Sequence, residues 1–107
     1  MWRDIVAVCG FVLIASAAYA QESPGDRGAG RAFAQRICAA CHAVRPGETQ
    51  SPNADTPSFQ SIAQLPGVTA LRLKVALRTV HERMPDLVLS PRETDDVIAY
   101  ILGLSAK

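Results

Sequence analysis

The chain has 107 residues, enough for one small domain and too few for a multidomain enzyme. Eleven Lys and Arg against ten Asp and Glu leave a formal net charge of +1 with no basic run, which argues against nucleic acid or an anionic membrane surface as the main partner. With 49% hydrophobic and 20% charged residues the composition is ordinary for a globular protein, not that of a disordered low-complexity chain.

Met1-Trp2-Arg3-Asp4 leads into an apolar run from Ile5 to Ala15 and then to small residues ending in Ala18-Tyr19-Ala20. This order reads as a secretory signal peptide over 1–20, cleaved after Ala20. Ile5 to Ala20 is 16 residues, short of the roughly 20 needed to cross a bilayer, so no stable membrane insertion is expected. Cys9 follows Val6-Ala7-Val8, an unsuitable context for lipid attachment, and reads as part of the discarded apolar run. The expectation is an exported, periplasmic domain over 21–107. A domain of that size is near the lower limit of what its own core can stabilise, so a disulfide, metal or cofactor should assist it.

The first expected helix is Gly28–Ile37, with Asp26 as its start, Phe33 and Ile37 apolar and four apart, and Gly30 as a point of close approach for another helix. It runs into Cys38-Ala39-Ala40-Cys41-His42. In an exported chain this C-x-x-C-H pattern points to covalent haem c: two thiols can add to the two haem vinyl groups, and the following imidazole can reach the iron. The competing readings are a local disulfide, a thioredoxin-like pair, and half of a zinc site, although no second C-x-x-C supplies zinc's remaining ligands.

From Val44 to Pro66 the prolines Pro46, Pro52, Pro57 and Pro66 alternate with turn residues, predicting a long loop broken by one helical turn at Phe59–Gln64. A carbonyl near Pro57 can accept the second ring N–H of His42, and Phe59 and Ile62 can cover the cofactor; ordinary loop packing is the alternative. Pro66-Gly67 and a Thr69 cap then announce a helix over 69–81. Leu71, Val75 and Arg78 align on one stripe, and Leu73, Ala76, Leu77 and Val80 make the apolar face. The interspersed Arg72, Lys74 and Arg78 read either as a solvated face or as one that meets an acidic partner or haem propionates.

Met84-Pro85 closes that region, since proline disfavours helical geometry in the residue before it and lets the thioether extend from a loop. Met84 can serve as the second iron ligand; His81 is the competing ligand, and a packing role is the remaining alternative. Ser90-Pro91-Arg92-Glu93 is a capping box with proline at the first helical position. Val97, Ile98, Ile101 and Leu102 continue that last helix, Asp95 and Asp96 favour its N-terminus, and Tyr100 and Leu104 are placed to pack across the Gly30 helix.

Gly30, the C-x-x-C-H motif, Pro57-Ser58-Phe59, Met84-Pro85 and Asp96-Val97-Ile98-Ala99-Tyr100-Ile101-Leu102 together resemble the successive landmarks of small bacterial class I cytochromes c, over nearly all of 21–107. The resemblance implies an all-α fold of three to four short helices and long loops around one haem, with N- and C-terminal helices crossing. It also implies thioether links at Cys38 and Cys41 and axial ligands His42 and Met84. Where the family often has an aromatic residue four before the first cysteine, this chain has Ala34, with Phe33 one step earlier.

The function these readings imply is a soluble monomeric one-electron carrier, not an enzyme, cycling Fe(III)/Fe(II) between redox-partner proteins such as a dehydrogenase, an oxidase or a respiratory complex. A five-coordinate haem protein that binds or reduces a small ligand, and a thiol-disulfide oxidoreductase using Cys38 and Cys41, are the alternatives.

Overall fold

The computed structural model describes residues 24–79, 84 and 88–106. The expected signal peptide, Val80, His81 and Pro85 lie outside them. Helix α1, Arg27–Arg36, begins where Asp26 is extended and its side chain accepts the Ala29 N–H at 3.0 Å. It ends with the Ile37 N–H on the Phe33 carbonyl at 2.9 Å, and Arg36 sits in the last turn, where the helix dipole favours a cation. A 3-10 turn, Cys38–Ala40, follows directly.

The short helix α2, Phe59–Ala63, is capped by Ser58, whose Oγ accepts the Ser61 N–H at 3.1 Å. Helix α3, Ala70–Arg78, is capped by Thr69. It ends earlier than the periodicity suggested, because Thr79 is already extended, with its N–H and Oγ1 both donating to the Val75 carbonyl at 3.0 and 2.7 Å. Leu73 is its buried residue and Leu77 packs at the core's edge, while Leu71 and Val75 are 71% and 57% exposed, so the second stripe faces outward.

Helix α4, Pro91–Gly103, has the full capping box: Ser90 Oγ accepts the Glu93 N–H at 3.1 Å, and Glu93 Oε2 accepts the Ser90 N–H at 2.9 Å. Ser90→Ala removes one of these bonds and is expected to lower stability by about 1 kcal/mol, measured by denaturant unfolding of the haem-loaded protein. A last 3-10 turn, Leu104–Ala106, ends the described chain.

The core gathers on α4. Val97, Ile98, Ile101 and Tyr100 are buried against Ala34 of α1, Phe59 and Ala63 of α2 and Leu73 of α3. The fold is therefore all-α, with four α-helices and no strand among the described residues, and with α1 crossing α4. None of the described helices is long and apolar enough to cross a membrane.

The face that α1 buries differs from the apolar pair read in the sequence. Gly30 and Ala34 are its buried residues; Phe33 packs at the edge, and Ile37 is 39% exposed. The cause is proximity, since a Cβ on Gly30 would stand 1.9 Å from the Asp96 carbonyl oxygen and 3.0 Å from Tyr100 Cβ. At such a crossing small size decides which residues face inward, and hydrophobicity comes second. Asp96 also serves α1 directly, its Oδ1 accepting the Asp26 N–H at 2.8 Å.

Candidate functional site

The Cys38–His42 segment leaves α1 still wound: the Cys41 and His42 N–H groups both return to the Cys38 carbonyl, at 3.2 and 2.9 Å. This tight turn holds both thiols and the imidazole within one local unit. Cys38, Cys41 and His42 are half-buried, and the two thiols are free, not joined as a disulfide. Burial pushes the Cys38 thiol up to about 11, so at neutral pH it is protonated. A thioredoxin-like pair needs the opposite shift, because the thiolate is the nucleophile. Zinc fares no better, for no group of three His, Cys, Asp or Glu side chains converges among the described residues.

His42 is oriented from the loop. Its Nδ1 lies 2.6 Å from the Pro57 carbonyl oxygen, a geometry in which Nδ1–H donates and the tautomer is fixed. Nε2 then keeps its lone pair, with no partner among the described residues. The Phe59 ring stands beside the imidazole, centroids 5.3 Å apart and planes tilted by 56°, and it is buried between His42 and Tyr100. A shallow, open cleft lined by Gln35, Ala39, His42, Arg45, Glu48 and Gln50, among others, touches the imidazole but none of Cys38, Cys41, Phe59 or Met84.

Five of the residues singled out in the sequence, Cys38, Cys41, His42, Pro57 and Phe59, are thus brought together by one turn, the loop after it and the start of α2. Met84 is half-buried in a bend between α3 and α4, and among the described residues no hydrogen bond or ring contact joins it to that group. Its expected rival His81 lies outside the described residues.

Sequence reasoning assigned no role to 43–56, yet the loop is tied down by groups it passed over. The Ala43 N–H donates to Ser51 Oγ at 3.0 Å, and the Asn53 N–H to the Cys41 carbonyl at 3.3 Å. Gly47, at φ +78° in a turn that favours glycine, donates its N–H to Gln60 Oε1 at 2.8 Å, and Gln60 Nε2 donates to the Leu104 carbonyl at 3.2 Å. The one signal in the sequence was a glutamine set between apolar Phe59 and Ile62 on so short a helix, a side chain that must find partners if buried.

No family model and no solved structure matches the chain. Among curated proteins it is similar to cytochrome c-552 of Bradyrhizobium diazoefficiens, 37% identical over 104 residues that span 97% of this chain and 98% of the relative. Identity at that level, end to end and on a helical frame that supports a C-x-x-C-H turn, places the chain in the class I cytochromes c, electron-transfer proteins that carry one covalently bound haem c and are not enzymes.

Proposed function

We propose that this chain is an exported periplasmic one-electron carrier, with haem c joined to Cys38 and Cys41 and its iron held by His42 Nε2 and the Met84 sulfur. The residues present fit that group. The observation that carries the reading is His42 itself: Nδ1 is committed to the Pro57 carbonyl at 2.6 Å, which leaves Nε2 free beside two unpaired thiols of the same turn. When bound, haem c supplies a single-electron Fe(III)/Fe(II) couple.

The chain's own residues then have limited tasks. The Pro57 carbonyl holds the imidazole in one tautomer and raises its basicity, and the buried Phe59 ring keeps water from its flank. Met84, set free of helix by Pro85, offers a thioether that favours reduced iron. The reading includes removal of residues 1–20, a single domain over 21–107, a monomeric state, and redox-partner proteins of the dehydrogenase, oxidase or respiratory-complex kind.

The test is an absorption spectrum, oxidised and reduced, of protein exported from a host that attaches haem. It should show haem retained after denaturation, low-spin bands, and the weak red band of sulfur ligation. A high-spin spectrum, with carbon monoxide taken up readily by the reduced protein, would overturn the Met84 assignment in favour of a five-coordinate ligand binder. Met84→Ala is expected to lower the reduction potential by about 0.1 V or more, within the roughly 0.8 V over which axial ligands set haem potentials, and to open the iron to carbon monoxide. Potentiometric titration checks the first effect and gas binding the second.

A further inference from the structure

The imidazole and the last helix are connected twice over. Tyr100, in the last turn of α4, donates its hydroxyl to the Val44 carbonyl at 2.5 Å across 56 residues of chain, and Val44 is two residues beyond His42. The Tyr100 ring also stands 6.4 Å from the Phe59 ring, which in turn lies 5.3 Å from the His42 ring. Both ends of the hydroxyl bond are in the core, with Tyr100 7% and Val44 4% exposed. Burial raises the Tyr100 pKa, with Arg31 opposing and Glu48 adding to it, so the hydroxyl remains a donor at any ordinary pH.

A phenylalanine would fill the same space without placing a polar atom in the core, so packing alone does not explain the hydroxyl. The bond completes a pattern. Around His42 the Cys41 carbonyl accepts from Asn53, the Ala43 N–H donates to Ser51, and the Ala43 carbonyl accepts from the Phe59 N–H at 2.9 Å. These ties come from the neighbouring loop and from the first residue of α2. The Val44 carbonyl is the place where this segment is tied to α4, the helix that carries the core.

We propose that Tyr100 is a positioning residue for His42: through the Val44 carbonyl and the Phe59 ring it anchors the ligand-bearing segment to α4 and so fixes how the imidazole meets the Pro57 carbonyl. This rests on His42 being an iron ligand. Without the hydroxyl, the Val44 carbonyl is buried with no donor, the 43–48 segment keeps its ties to Ser51 and to Phe59 and Gln60 of α2 but loses its tie to α4, and the hydrogen bond from Nδ1 to Pro57 loses its fixed length.

The experiment compares the haem-loaded parent, Tyr100→Phe and Ser90→Ala by nitrogen-15 NMR of the histidine ring, amide hydrogen exchange and potentiometry. Ser90→Ala weakens α4 without touching the 43–59 segment, and so reports what loss of stability alone does. Tyr100→Phe is expected to shift the His42 Nδ1 proton and the reduction potential. It should also speed exchange of the Phe59 and Gly47 amides at least tenfold more than those of α1, while Ser90→Ala moves neither ring proton nor potential. An iron-bound His42 whose Nδ1 proton and potential stay put in Tyr100→Phe, or move as much in Ser90→Ala, overturns the inference alone. A parent protein whose His42 is not bound to iron overturns the ligand assignment and the inference together.

Discussion

Gly30→Ala is expected to cost the domain more stability than removal of any cap. The added Cβ would stand 1.9 Å from the Asp96 carbonyl oxygen and 2.5 Å from its carbon, both backbone atoms inside α4 that no side-chain rotation can move aside. Overpacking in a core costs about 1–3 kcal/mol when neighbours can yield, and here the helices themselves must separate, so a loss of at least about 3 kcal/mol is expected. In a domain this small that is a large share of the total. The separation would also break the bond from the Asp26 N–H to Asp96 and uncover Ala34, now fully buried. Denaturant unfolding of the haem-loaded protein reads the loss. A variant within about 0.5 kcal/mol of the parent would show that the crossing is not as close as the geometry states.

The second large effect concerns attachment. With both Cys38 and Cys41 replaced by serine, exported protein is expected to release its haem fully on denaturation, whereas the parent keeps it on the chain. The two thiols are free, half-buried and held on one tight turn with the imidazole that follows them. Serine matches cysteine in shape and cannot form a thioether, so the change acts on the bond and leaves the turn in place. Acid–acetone extraction followed by absorption of the protein fraction checks the outcome; haem retained by the double variant would move the attachment point elsewhere.

Much of this architecture could be read from the sequence where a local rule governed it. Asp26, Thr69 and Ser90 marked helix starts because a cap is a contact between residues three apart, and Pro91 with Glu93 completed the signal at α4. The C-x-x-C-H motif was legible for the same reason, its parts being consecutive. What escaped was decided across distance. The buried stripe of α1 followed the α4 backbone and not its own hydrophobicity, and the roles of Ser51, Gln60 and Tyr100 depend on partners 8, 44 and 56 residues away. Periodicity reports which face of a helix is apolar; it does not report which carbonyl a buried hydroxyl will find.

The pairing of α1 with α4 also bears on when the chain can fold. The bond from Asp26 to Asp96 closes a loop of 70 residues, an ordering cost of roughly 4 kcal/mol that only the completed crossing offsets. Nearly all of the core is assembled on α4, so a growing polypeptide has little to collapse upon until that helix has been made. The Cys38–His42 turn therefore emerges long before there is an interior to enclose it, and the order of synthesis itself leaves an interval in which the two thiols stand open to whatever is to be joined to them.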